Sequence, residues 1–269
     1  MRQAQDFLDE SRVLAALIAP LSDEAMRRRT AFKGWSIDEI LRHLHVWNEA
    51  ALWSLQDPPR FQAYFEMAKP HVAAGGMPGF EASFLNDLSG ASLKASWTEA
   101  AEQLAAAFAG QDPKLRVAWA GPSMSARSSI TARQMETWAH GQAIFDLVGV
   151  VRQNGDRIQN IVVLGVNTYA WTFACRKQEP PGLMPHLRLV APSGALWTFG
   201  AESEAERIEG PAEGFAQVVT QTRNIADVGL TVTGRAATAW MAQAQCFAGR
   251  PETPPAKGAR RIGAAWPEG

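Results

Sequence analysis

The chain has 269 residues, 46% of them hydrophobic, with 26 Lys and Arg against 27 Asp and Glu. That length supports one large or two ordinary domains, and a net charge of −1 gives no broad electrostatic reason to expect a nucleic acid or an anionic membrane as partner. Two distant cysteines, Cys175 and Cys246, argue against a disulfide framework and fit a reducing cytoplasm; the lack of an apolar leader or of any apolar run of about 18 residues argues for a soluble chain.

In chain order, Phe7, Leu8, Val13, Leu14 and Leu17 recur at helical spacing and predict a first helix over 5–20. Gly34-Trp35-Ser36 opens a second over 36–56, where Ser36 is the expected N-cap, Glu39 completes a capping box and Pro58-Pro59 stops the helix. Its apolar stripe is Ile37, Ile40, Leu41, Leu44 and Trp47, with His43 on the flank. His45 stands about 200° further round at ~100° per residue, so it cannot share a site with His43. Segment 57–93 carries Pro70, Gly75-Gly76 and Pro78-Gly79. It reads as a long connection with short helices near 60–69 and 80–88, either a functional lid or a plain crossover. A third helix over 97–109 follows from Trp97, Ala101, Leu104 and Phe108, and the hydroxyl-rich stretch 121–129 is expected to cap a fourth over 128–148. Four such stripes bury together as a bundle.

After Gly149 the pattern changes. A connecting helix over 156–176 precedes a β-hairpin over 186–199 around Ser193-Gly194, then a helix over 211–223, a strand over 228–233 and a helix over 235–248. The expected fold class is α+β: a helical bundle over 1–150, a smaller C-terminal α+β domain with its connecting helix over 151–249, and a Pro-rich extended tail over 250–269.

The chemistry centres on Glu136-Thr-Trp-Ala-His140 in the fourth helix. Residues i and i+4 lie on one face, here shared with Arg133, Ile144 and Leu147. A carboxylate and an imidazole in a core-facing stripe are costly unless paired. A mutual hydrogen bond is the commoner outcome of such spacing; the alternative is a divalent metal held together with His43. Two His and one carboxylate leave a position open for water or substrate. Arg133 can reach the ligand carboxylate or a substrate carboxylate, with a surface salt bridge as the plain alternative. No G-x-S-x-G, G-x-x-x-x-G-K-[ST] or G-x-G-x-x-G is present.

These motifs, Gly34-Trp35-Ser36-Ile37 with His43-Leu44, and Met135-Glu136-Thr137-Trp138-Ala139-His140-Gly141-Gln142, resemble the DinB-like metal-binding superfamily. They are similar in particular to its branch of mycothiol-dependent maleylpyruvate isomerase, which also has a C-terminal α+β domain. The resemblance implies a DinB-like four-helix bundle with metal ligands at His43, Glu136 and His140. It also implies thiol transfer or thiol-assisted cis–trans isomerisation of a small-molecule substrate. One divalent ion is expected; zinc suits imidazole, and nickel or iron would accept the same ligands. With no well-placed cysteine in the chain, the sulfur would come from a small-molecule thiol cosubstrate. A metal-dependent hydrolase or a non-catalytic small-molecule binding protein are the competing readings. Residues 219–249 are similar to a segment labelled wyosine base formation, but without iron–sulfur cysteines that function is not carried over. Relatives often place an acid three residues after the second histidine; Ala143 stands here, leaving Gln142 or Asp146 to support His140. Arg223 is a second candidate anion contact.

Overall fold

Helix α1 (Arg2–Ile18) buries Phe7, Leu14 and Ile18 and stops before Pro20. The structure, a computed structural model, describes residues 1–121 and 123–265. A single turn, α2 (Asp23–Met26), leads to a hairpin in which Arg29 pairs with Ser36. Lys33 and Gly34 both take positive φ there, 52° and 70°; for Gly34 this costs little because it has no Cβ. Helix α3 (Ile37–Gln56) begins at the expected capping box: Ser36 Oγ accepts from the Glu39 amide and the Glu39 carboxylate accepts from the Ser36 amide.

The stretch read as a long connection is mostly helical. Helix α4 (Pro58–Ala74) is capped by Asp57, opened by two prolines and closed by left-handed Gly75, and α5 (Met77–Phe84) follows at once. Helix α6 (Gly90–Ala109) starts earlier than its apolar periodicity suggests. Its first amides are satisfied from elsewhere, Gly90 by Asp38 Oδ1 and Ala91 by Asp23 Oδ1, so carboxylates distant in sequence supply the cap. A two-stranded ribbon, β1 (Arg116–Val117) with β2 (Met124–Ser125), precedes α7 (Ala126–Val148), where Ser125 Oγ accepts from the Ser128 amide.

Apolar clusters among the described residues join these helices. One unites Leu14, Ile18, Ile37, Leu41, Leu44, Trp97, Ile144 and Leu147; a second unites Phe7, Ala51, Leu104, Phe108 and Ile130. The third gathers Trp47, Trp53, Phe61, Tyr64 and Met77 between α3, α4 and α5. The first compact unit is Met1–Leu147, joined by Ala265, which pairs with Thr30.

The second unit, Val148–Ala264, opens with a 3-10 turn at Asp156–Ile158. The single expected helix is broken into α8 (Gln159–Asn167) and α9 (Tyr169–Ala174). At the break, Thr168 Oγ1 bonds back to the Leu164 and Gly165 carbonyls, a contact that competes with helix continuation. The hairpin is β3 (His186–Val190) with β4 (Leu196–Phe199), and β5 (Arg207–Pro211) adds a strand absent from the sequence reading. Helix α10 (Ala212–Val219), β6 (Thr231–Thr233) and α11 (Arg235–Met241) complete it. Strand order is β4-β3-β5-β6, with β3 parallel to β5 and the other pairs antiparallel. Leu187, Leu189 and Ile208 of the sheet are buried, as are Phe215 and Val219 of α10 and Trp240 of α11. The tail beyond Gly249 has no helix or strand until its bridge at Ala265. It is tied to this unit by Asn224 to the Pro255 carbonyl and Arg260 to the Gln221 carbonyl.

Candidate metal centre

The first unit brings His43 of α3 together with Glu136 and His140 of α7. One donor atom from each lies within 4.8 Å of the others. His140 Nε2 stands 3.0 Å from Glu136 Oε2, and the two imidazole rings are 4.9 Å apart between centroids. Two ligands of one ion at bonds of about 2.1 Å and tetrahedral angles would stand roughly 3.4 Å apart, a spacing the His140–Glu136 pair already approaches. The three side chains are 16, 24 and 11% exposed, enough for an open coordination position and too little for full hydration. Two imidazoles and a carboxylate are the donor set a divalent zinc-like ion takes, and the geometry fits one.

Electrostatics favour ligands ready for a cation. Burial by itself would raise the Glu136 pKa. The hydrogen bond from His140 and the charges of His140, Arg133 and His43 outweigh it and bring the pKa down to about 2. Burial lowers the His140 pKa, against the opposing hydrogen bond with Glu136. A neutral imidazole and an ionised carboxylate are the protonation states that metal ligation requires.

The hairpin before α3 builds one wall. The Thr30 amide and hydroxyl both donate to the Trp35 carbonyl, and the Trp35 amide donates to the Phe32 carbonyl. That turn sets Phe32 edge-on to His140 at 4.9 Å and Trp35 parallel to it at 6.0 Å. The opposite side comes from the segment read as a connection. Glu81 of α5, wholly buried, places Oε1 2.7 Å from His43 Nδ1 and accepts from Trp47 Nε1 at 3.2 Å. Sequence reasoning missed Glu81. The available signal was a lone carboxylate on the same helix face as Met77, one turn away in an aromatic-rich stretch.

Arg133 is 1% exposed, which removes the surface salt bridge as a reading. Its Nε donates to Asn48 Oδ1 at 3.0 Å and its Nη2 to the Leu44 carbonyl at 3.3 Å. Burial lowers its pKa to about 10, with Glu136 the first of the charges opposing that shift. Arg223 lies in the second unit, also buried, its Nη1 donating to the Thr222 carbonyl. The support expected for His140 takes another form. Gln142 donates to Asp146 at 3.0 Å, whereas His140 Nδ1 meets no hydrogen-bond partner among the described residues. Packing between Phe32 and Trp35 orients that ring instead. His45 is buried apart from the cluster, its pKa lowered to about 4 by burial.

The model of the family described as the mycothiol maleylpyruvate isomerase N-terminal domain matches residues 7–145. Two uncharacterized proteins, from two strains of Mycobacterium tuberculosis, are each 34% identical to the chain over 246 residues, covering 91% of it and 95% of their own length. Among solved structures, the chain is similar to the crystal structure of the mycothiol-dependent maleylpyruvate isomerase. The TM-score is 0.54 at 14% identity, over 85% of this chain and 92% of that one. A histidine-to-alanine mutant of that isomerase matches with TM-score 0.50 at 15% identity, over 80% of this chain and 88% of the mutant's. At such identity the likeness speaks for the fold.

Proposed function

The chain belongs to the mycothiol maleylpyruvate isomerase N-terminal domain family, and on that premise we propose that it is a metal-dependent enzyme of thiol-transfer or thiol-assisted isomerisation type. The observation that carries the reading is the convergence of His43, Glu136 and His140 donor atoms within 4.8 Å at a partly open place in the helical unit. A divalent ion there, zinc by preference, supplies Lewis acidity that lowers the pKa of a bound thiol. The thiol is a small-molecule cosubstrate, because the converging donor groups are His43, Glu136 and His140 and include no cysteine among the described residues. The substrate that fits this chemistry is a small unsaturated acid.

Each residue then has a task. His43 and His140 present neutral nitrogen donors and Glu136 the anionic oxygen. Arg133 sets a fixed positive charge behind Glu136, which holds that carboxylate ionised and limits how strongly it neutralises a bound cation. Phe32, Trp35 and Trp47 narrow the approach and exclude bulk water, which strengthens every charge interaction inside. Arg223 is proposed as a contact for an anionic group of substrate or thiol, and Arg223→Gln is expected to weaken that binding while metal content stays unchanged.

The test is metal analysis of protein purified without chelator, followed by a screen of small thiols with unsaturated acids, read by product formation. One ion per chain and turnover needing both metal and thiol, lost in His43→Ala, is the expected result. Ester or amide cleavage without thiol would move the assignment to a hydrolase, and ligand binding without turnover to a binding protein.

A further inference from the structure

Glu81 stands outside the donor set yet touches it. It sits in α5, which aromatic packing holds against the core: Phe84 meets Tyr64 at 5.1 Å and Trp53 at 6.4 Å. Its carboxylate is wholly buried, and only one of its oxygens is used. Oε1 meets both His43 Nδ1 and Trp47 Nε1, while Oε2 has no hydrogen-bond partner among the described residues. A carboxylate placed only to fasten α5 to α3 would engage both oxygens, because an unmatched buried oxygen is costly. The contact with Trp47 is informative for a second reason. An indole N–H donates and never accepts, so Oε1 is an acceptor, and the proton in its contact with His43 resides on Nδ1. The lone pair of His43 is therefore on Nε2, the nitrogen that Glu81 leaves free. Trp47 is itself fixed, by Tyr64 at 5.8 Å and Trp119 at 5.6 Å, so the acceptor oxygen has little room to move.

We propose that Glu81 is a positioning residue of the metal centre, selecting the Nδ1–H tautomer of His43 and aiming its Nε2 lone pair at the ion. The inference rests on the metal reading above. It gives segment 57–93 a defined task, which is to deliver one carboxylate to the back of a ligand. The support of the two histidines is then unequal. His43 is set by a carboxylate and His140 by the two rings that flank it.

Two readouts test the proposal, one of them independent of metal. Nitrogen-15 spectra of histidine-labelled, metal-free protein report the His43 tautomer directly. Nδ1–H is expected in the wild type and in Glu81→Gln, whose amide oxygen can still accept from both donors. In Glu81→Leu the tautomers mix or reverse. Zinc affinity, measured by competition with a chelator, is expected to fall about 10–100-fold in Glu81→Leu, the range for loss of an outer partner of a ligand histidine. Glu81→Asp keeps the charge but withdraws it by one methylene, and is expected to lose about 10-fold on the same ground; it serves if the leucine variant does not fold. The urea midpoint of each metal-free variant is measured alongside, because a merely structural residue would lower it without moving tautomer or affinity. A wild-type tautomer in Glu81→Leu, or wild-type zinc affinity in both Glu81→Leu and Glu81→Asp, overturns the proposal. Absence of zinc binding by the wild type overturns the metal reading instead, and the metal-free spectra still decide whether Glu81 sets the ring.

Discussion

Both units bury polar side chains, but they treat them differently. In the second, such groups serve the backbone. Gln221 donates to the Ala244 and Glu252 carbonyls, Gln245 accepts from the Glu252 amide and donates to the Phe247 and Arg250 carbonyls, and Arg176 reaches the Glu252 carbonyl. These contacts satisfy loop groups that no helix or strand can. In the first unit, side chains face one another and atoms are left over. Tyr64 Oη, Asn48 Nδ2, Glu81 Oε2, His45 Nδ1 and His140 Nδ1 all lack hydrogen-bond partners among the described residues. Matched burial stabilises a fold, whereas unmatched burial is tolerated where a site needs particular groups. Among the described residues, unmatched atoms are the more numerous in the helical unit, which also carries the candidate site.

The strongest way to break this contrast is His140→Ala. Loss of a ligand is expected to reduce metal affinity by more than about 100-fold, beyond the range for an outer partner, and to abolish turnover with little change in the urea midpoint of metal-free protein. Metal retained at one per chain would refute the ligand assignment. Acid comes next. An unfolded imidazole titrates near 6.5, while burial holds His45 at about 4. The unfolded chain thus binds more protons between these values, and stability present above pH 6.5 is lost as pH falls toward 4. The full loss is about 3 kcal/mol, taking ~1.4 kcal/mol per pKa unit. Urea midpoints of metal-free protein should decline across that window, and His45→Gln should flatten the curve; an equally steep decline in the variant would assign the effect to another group.

The second unit should answer in the opposite sense. Gln245→Ala removes a side chain that closes a loop against the backbone and should cost about 1–3 kcal/mol. Metal content and activity should stay at wild-type levels; a loss of metal there would erase the distinction between the units. The smallest effect is expected at Tyr64→Phe, which deletes an unmatched buried hydroxyl. Stability should hold or rise by up to about 1 kcal/mol, and a marked decrease would mean that the hydroxyl has a partner in solution.

Local signals carried much of this architecture, and longer-range ones were needed for the rest. The capping box at Ser36 and Glu39 and the i, i+4 pair at Glu136 and His140 are written in neighbouring residues, so the start of α3 and one face of α7 are legible in the sequence. The N-terminus of α6 was not, because Asp23 and Asp38 cap it from 52 or more residues away. Strand β5 escaped notice since only Ile208 turns inward. Its Arg207 and Glu209 pair with each other on the outer face, and Glu209 also pairs with Arg188, which reads as a polar loop. Turn residues in 57–93 suggested a connection with short helices near 60–69 and 80–88, but Pro58-Pro59 and Gly75 mark the ends of one longer helix. Glu81 shows the limit most clearly. Its i+4 neighbour Leu85 and its partner His43 lie on different elements, and no spacing rule relates residues 38 apart.

The parallel placement of Trp35 on His140, 6.0 Å away, turns a wall of the site into an optical gauge. An indole that close to the His140 ring would sense an ion bound there. A paramagnetic ion such as nickel should quench Trp35 emission, whereas zinc, with its filled shell, should change only its colour and intensity slightly. The chain has ten tryptophans, so the signal is the difference between wild type and Trp35→Phe. Titrated with each metal in turn, that difference spectrum would report occupancy in real time and distinguish the ions without any substrate.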